Sequence, residues 1–141
     1  MDNTRNAPMV WPALRAHDAA ALIDYLTGTL GFVETARHQD SDRVAHAELR
    51  WPEGGGVMLG DHRPDGGWSR EPGTAGSYVV TNRIDEVYER ARSGGAEVVQ
   101  ELQETDYGSR EFAVRDPEGN LWSFGTYPGE PMTVDVQALG D

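Results

Sequence analysis

The sequence contains no cysteine, which excludes disulfides, thiolate-bound zinc and thiol nucleophiles. Lysine is missing as well. All twelve basic residues are arginine, set against 24 acids for a formal charge of −12. The excess is uneven: residues 1–70 hold ten acids and seven arginines, net −3, while residues 71–141 hold fourteen and five, net −9. A chain this poor in positive charge lacks the basic footprint that phosphate backbones require, so nucleic acid is not expected as a partner. The acid excess is compatible with a cationic ligand, and otherwise keeps the surface charged and soluble. Long apolar runs are also absent. Nothing approaches a membrane span, and residues 1–8 show no signal-peptide pattern. The expectation is a cytoplasmic protein with no membrane partner.

What the sequence does hold is an internal repeat. Arg50-Trp51-Pro52-Glu53-Gly54 recurs 65 residues later as Arg115-Asp116-Pro117-Glu118-Gly119. The same shift lays Gly60 on Gly125, and Leu22, Ile23 and Leu26 on Val87, Tyr88 and Ala91. One offset shared by a turn, a glycine and a helical stripe indicates a duplicated module. The chain has 141 residues, one domain's worth. Two modules of about 60 residues would each be marginal alone, so they are expected to share a core or an interface. The expected division is an N-terminal arm at 1–8, a first module at 9–60, a linker at 61–75, a second module at 76–127 and a tail at 128–141.

Each module reads β-α-β-β-β. In the first, residues 9–16 form a strand, with Pro12 favouring an edge position. Asp18 caps a helix running to about Leu30, whose apolar stripe is Ala19, Leu22, Ile23, Leu26 and Leu30. Gly31 stops it. Strands follow at 32–38, 43–51 and 57–60, with Pro52 to Gly56 as a hairpin turn. In the second copy Asn82 is the expected cap of a helix through Arg92, between strands at 77–81, 96–102, 109–115 and 121–127. The fold class is α+β, two tandem βαβββ modules.

Strand alternation sorts the side chains by face. Leu14, Ala45, Ala47, Leu49, Val57, Leu59, Phe112, Val114, Trp122 and Phe124 turn toward the helices. The opposite face holds Trp11, Arg15, His46, Glu48, Met58, Tyr78, Glu111 and Ser123. That face is too aromatic for open solvent and too charged for a core. It fits a partly apolar cavity with a few polar groups, or a sheet face covered by a subunit partner. Trp68 and Tyr107 lie in loops expected to flank the cavity mouth, where aromatics close over flat or cationic ligands. His46 and Glu48 stand two apart on one strand and share a face. They are candidates for an acid–base pair, for ligands of a displaced metal site, or for a simple hydrogen-bonded pair. His38 and His62, at a strand end and in a loop, show no sequence relation to His46.

Three local motifs carry a family likeness. They are Pro12-Ala13-Leu14-Arg15 before the Asp-capped helix, Leu30-Gly31-Phe32 after it, and Asp116-Pro117-Glu118-Gly119-Asn120-Leu121-Trp122 before the last strand. With the repeat and the element order, they resemble the vicinal oxygen chelate superfamily, which includes glyoxalase I, extradiol dioxygenases, and bleomycin- and fosfomycin-resistance proteins. The resemblance covers roughly residues 9–127. It implies a curved mixed sheet around a cavity, with the helices outside.

Metal-bearing members place ligands on the first and last strand of each module. By similarity these positions are Trp11, Met58, Gly76 (or Ser77) and Ser123. Indole has no lone pair to give, glycine has no side chain, and thioether and hydroxyl are poor ligands for a hard divalent ion. The resemblance therefore implies no metal and no cofactor, as in the bleomycin-resistance-like branch. The expected function is binding of a small molecule, such as an antibiotic or metabolite to be sequestered, by a homodimer. The ten candidate ligand-binding residues are Trp11, Arg15, His46, Glu48, Met58, Trp68, Tyr78, Tyr107, Glu111 and Ser123. The alternative is a lyase- or isomerase-type enzyme using His46 and Glu48 as acid and base, with or without a non-standard metal site.

Overall fold

Helix α1 (Ala19–Tyr25) begins where the Asp18 carboxylate accepts the Ala21 N–H at 3.1 Å. Its stripe of Leu22, Ile23, Leu26 and Leu30 is buried to within 1 % of full burial. The stripe continues past the helix into a π-helical turn, Leu26–Leu30. Thr27 sits at that junction, with its hydroxyl bonded back to the Ile23 carbonyl at 2.9 Å, a bond that competes with regular helix geometry. Gly31, at φ +100°, closes the turn in the left-handed conformation. The computed structural model describes residues 7–66 and 70–133; Trp68 and the ends of the expected arm and tail lie outside the described residues.

The first module consists of β1 (Ala13–Ala16), α1, β2 (Val33–Asp40), β3 (Arg43–Arg50) and β4 (Gly56–Asp61). The second consists of β5 (Gly76–Val80), α2 (Ile84–Ser93), β6 (Glu97–Glu104), β7 (Arg110–Arg115) and β8 (Leu121–Gly125). The mixed sheet is divided into two four-stranded halves, ordered β1-β4-β3-β2 and β5-β8-β7-β6. In each half the first and last strands pair in parallel and the other pairs are antiparallel. The 65-residue offset of the sequence survives in the register. Ala13 faces Met58 as Tyr78 faces Ser123, and Ala47 faces Leu59 as Phe112 faces Phe124.

Two local expectations are corrected. Ala45 was assigned to the helix side, but a bulge pairs His38 with His46 and Gln39 with Val44, leaving Ala45 without a partner. The extra residue turns Val44 into the core, at 2 % exposure. Asn82 does not cap α2. The cap position is Arg83, whose N–H is bonded by the Thr81 hydroxyl at 3.0 Å. Asp85 and Glu86 in the first turn and Arg90 and Arg92 in the last then oppose the helix dipole.

One apolar core runs through both modules. The Phe32 ring lies 5.0 Å from Trp51 and 5.5 Å from Trp122, and Trp51 lies 5.7 Å from Phe124. Trp51 also donates its indole N–H to the Val80 carbonyl at 3.1 Å. Among the described residues, no helix is long and apolar enough to cross a membrane.

The repeated turns explain how the modules are joined. The Glu53 carboxylate accepts the Thr81 hydroxyl at 2.5 Å and the Asn82 N–H at 2.8 Å. The Glu118 carboxylate accepts the N–H groups of His17 and Asp18 at 2.8 and 2.9 Å. Each turn glutamate therefore clamps the backbone just ahead of the other module's helix. Burial pushes the Glu53 pKa up, but the Asn82 N–H, the Thr81 hydroxyl and the Arg83 guanidinium outweigh it and hold it below the ordinary carboxylate value.

The second-module turn has an anchor that the first lacks. Asp116 is 4 % exposed. Its Oδ1 accepts three backbone N–H groups, from Glu118, Gly119 and Asn120, at 2.9, 2.9 and 3.0 Å. Its Oδ2 accepts the Asn120 amide at 2.9 Å and the Trp122 indole at 2.8 Å. In the first module the equivalent residue is Trp51, and the turn relies on Gly54 and Gly55 at φ +134° and +81°.

Candidate functional site

The faces turned away from the helices carry two separate cavities, one per module, with no lining residue in common. Sequence alternation pooled these residues into one cavity; the packing of the modules divides them. Trp11, Arg15, His46 and Met58 line the first, about 290 Å³ in volume. Tyr78, Tyr107 and Glu111 line the second, about 700 Å³, together with Val80, Tyr127 and Glu130. Glu48 stands beside His46. Ser123 lies in the sheet between Tyr78 and Ala113, outside the lining of either cavity.

On the first-module face, His46 Nε2 lies 2.8 Å from Glu48 Oε2. His38, expected to stand apart, is the cross-strand partner of His46, and the two rings stack at 5.9 Å and 24°. The sequence hid this pairing because the bulge at Ala45 sets the register. Arg15 lies across Gly60, where a Cβ would come within 2.6 Å of its Nη1. Trp11 donates its indole N–H to the Pro8 carbonyl at 3.1 Å.

The second-module face is built around a buried carboxylate. Glu111 is 6 % exposed. Its Oε2 accepts the Tyr78 hydroxyl and its Oε1 the Tyr107 hydroxyl, both at 2.7 Å. Tyr127 meets Tyr107 edge-on at 5.8 Å and donates its own hydroxyl to Glu130 at 2.8 Å. Burial pushes the Glu111 pKa up, but bonds from Tyr107, Tyr78 and Ser109 outweigh it and hold the carboxyl below its ordinary value. Burial first, then Glu111, pushes the Tyr78 phenol up; for Tyr107 the bond to Glu111 comes first. Both phenols therefore stay protonated donors and Glu111 stays an ionised acceptor near neutral pH.

Tyr127 ends the strand expected at 121–127 but was not among the candidates, and Glu130 lies beyond it; in the structure β8 stops at Gly125 and both follow it. The available signal was the run of Tyr107 and Tyr127 on either side of Glu111 in a chain with five tyrosines.

Gly125 makes this network possible. A Cβ there would lie 2.1 Å from Tyr78 Oη and 2.7 Å from Glu111 Cγ. Gly60, its copy, gives the same clearance to Arg15. Gly125→Ala is expected to expel the Tyr78 hydroxyl and destabilise the fold by about 1–3 kcal/mol, the cost of a buried acceptor losing one partner. It should also let the Tyr78 phenol fall back toward 10.0. Urea unfolding and a tyrosine absorbance titration check both; an unchanged titration would show that the glycine does not control the pair.

The metal positions implied by the family do not fit a metal. Trp11 offers an indole N–H already engaged with Pro8, Gly76 offers nothing, and Ser77, Ser123 and Met58 offer only hydroxyl and thioether groups, weak donors for a hard divalent ion. Among the described residues, no three His, Asp or Glu side chains form a group that could hold a metal ion.

The family model described as the glyoxalase/bleomycin resistance protein/dioxygenase superfamily matches residues 9–124. Uncharacterised proteins of Mycobacterium bovis and Mycobacterium tuberculosis are 35 % identical over 139 residues, covering 93 % of this chain and 91 % and 81 % of theirs. Among solved structures, TioX from Micromonospora sp. ML1 superposes with a TM-score of 0.73 at 30 % identity, over 84 % of this chain and 98 % of its own. TnmS3, an antibiotic binding protein from Streptomyces sp. CB03234, is alike in fold, with a TM-score of 0.65 at 19 % identity over 79 % and 88 %. With its βαβββ repeat, its D-P-E-G turn and a family match across nearly the whole described fold, the chain belongs to the glyoxalase/bleomycin resistance protein/dioxygenase superfamily.

Proposed function

We propose that the protein binds a small molecule on its second-module face, against Tyr78, Tyr107 and Tyr127. The observation that carries this reading is the convergence of Tyr78 and Tyr107 on one fixed carboxylate, with Tyr127 edge-on to Tyr107, at the wall of a cavity of about 700 Å³. That volume falls in the ~300–1,000 Å³ range of small-molecule sites, which pair apolar walls with a few placed polar groups. The fold likeness to an antibiotic binding protein supports sequestration of an antibiotic or metabolite as its concrete form.

The cavity is open on one side, and a homodimer is the natural way to cover it. Light scattering should give twice the 15.5 kDa chain mass. A monomer at micromolar concentration would remove the dimer from the reading.

The test of binding is a thermal-shift screen of antibiotics and metabolites, followed by titration calorimetry. Tyr107→Ala and Tyr127→Ala should each weaken a true ligand by about tenfold or more. Hits that bind both variants unchanged would place the site elsewhere. A second reading rests on the 2.8 Å contact between His46 and Glu48 beside the smaller cavity, an acid–base pair for lyase or isomerase chemistry. For any ligand found to turn over, His46→Ala should abolish turnover and leave binding intact; full turnover in that variant would end this reading.

A further inference from the structure

Glu111 has an unusual balance of partners. It is 6 % exposed, and its two oxygens are taken by the hydroxyls of Tyr78 and Tyr107. No arginine or histidine among the described residues forms an ion pair with it, and only hydroxyl bonds offset its burial. Hydroxyls spread a carboxylate's charge without cancelling it, and buried charges are ordinarily paired. The open side of this network is the cavity. The walls there are the rings of Tyr78 and Tyr107, at 43 % and 59 % exposure, and of Tyr127. A phenol that donates to a carboxylate has an electron-rich ring, the kind of face that attracts a cation. Glu130, held by the Tyr127 hydroxyl, adds a second negative charge at the rim. The first-module cavity differs, with Arg15 in its wall and His46 hydrogen-bonded to Glu48.

We propose that the second-module cavity selects an organic cation, a protonated amine or quaternary ammonium, seated against the tyrosine rings with Glu111 behind them as its counter-charge. This rests on the small-molecule reading above and names the ligand class for that site. The phenols position the carboxylate and present their π faces. The carboxylate supplies a charge that water does not screen away, because it is covered. Neutral ligands of the same shape gain the apolar contact alone, and anions meet two carboxylates.

The test uses three water-soluble probes that share a benzyl-sized ring: benzyltrimethylammonium, benzyl alcohol and benzoate. Binding is read by calorimetry and by NMR shifts of the tyrosine rings. The cation is expected to bind about tenfold tighter than the alcohol, and benzoate weakest. Glu111→Gln should bring the cation-to-alcohol ratio close to one. Should circular dichroism show that Glu111→Gln is unfolded, Tyr107→Leu at its exposed position replaces it, with the ratio expected to fall about threefold or more. Equal binding of all three probes at the tyrosines overturns the cation and leaves the small-molecule site standing. No tyrosine shift with any probe overturns both. A cation preference that emerges only in Arg15→Ala assigns the counter-charge to Arg15 of a second copy, and overturns the proposal as well.

Discussion

Asp116→Ala is expected to cost about 3–5 kcal/mol of stability, a large fraction of what a domain of this size holds. The carboxylate accepts five hydrogen bonds at 4 % exposure, three from the turn backbone, one from Asn120 and one from Trp122. Its removal leaves those donors facing a cavity too closed for each to find water. It also frees Asn120, whose Oδ1 accepts the Ala75 N–H at 3.0 Å just ahead of β5. Asp116→Asn is the sharper control. It keeps the three backbone bonds at Oδ1 but turns an amide N–H₂ toward two donors, the Asn120 amide and the Trp122 indole. A loss of about 2–4 kcal/mol is expected, because two buried donors then face a donor. Urea unfolding followed by tryptophan fluorescence measures both. A loss under about 1 kcal/mol in the alanine variant would mean that the turn is held by its backbone alone.

The second large effect is expected at Glu53 and Glu118. Each makes two charge-assisted bonds to the other module, worth about 1.5–3 kcal/mol in a covered setting. The Glu53 side chain is 26 % exposed, so the lower end applies, about 1.5–2 kcal/mol for Glu53→Ala. The two clamps span one interface between the same modules, so the double variant should depart from the sum of the singles. The pH dependence of the Glu53 clamp follows from its lowered pKa. Its contribution is fully present above the ordinary value of 4.5 and is lost as pH falls through the lower folded value. Unfolding free energies at pH 7 and at successive steps below 4.5 should therefore converge for the wild type and Glu53→Ala. Strictly additive singles with no convergence in acid would mean that the clamps are ordinary surface contacts.

Much of the frame was legible in the sequence. The 65-residue offset named two modules, and three of the four strands in each obey it residue for residue in their pairing. The helix stripes and the inward rows at Val57, Leu59, Trp122 and Phe124 followed from periodicity alone. What escaped was set by contacts that no local pattern encodes. A single bulge at Ala45 moved Val44 inward and brought His38 onto His46. The separation of Trp11, Arg15, His46 and Met58 from Tyr78, Tyr107 and Glu111 depends on how one module turns against the other, through Phe32, Trp51, Trp122 and Phe124. Glu53 and Glu118 were visible as repeated turn residues, yet their partners lie 28 and 101 residues away.

The exchanged glutamates also make the chain test its own completeness. While the first module is being synthesised, the N–H groups of His17 and Asp18 are left to water, because their protein acceptor is Glu118. A polypeptide halted anywhere before the last strand has one helix start unfinished and the aromatic face of Phe32 and Trp51 uncovered by Trp122 and Phe124. Such fragments expose backbone and apolar surface together, which makes them prone to aggregate. Only a chain that runs past the D-P-E-G turn and on through β8 closes both at once.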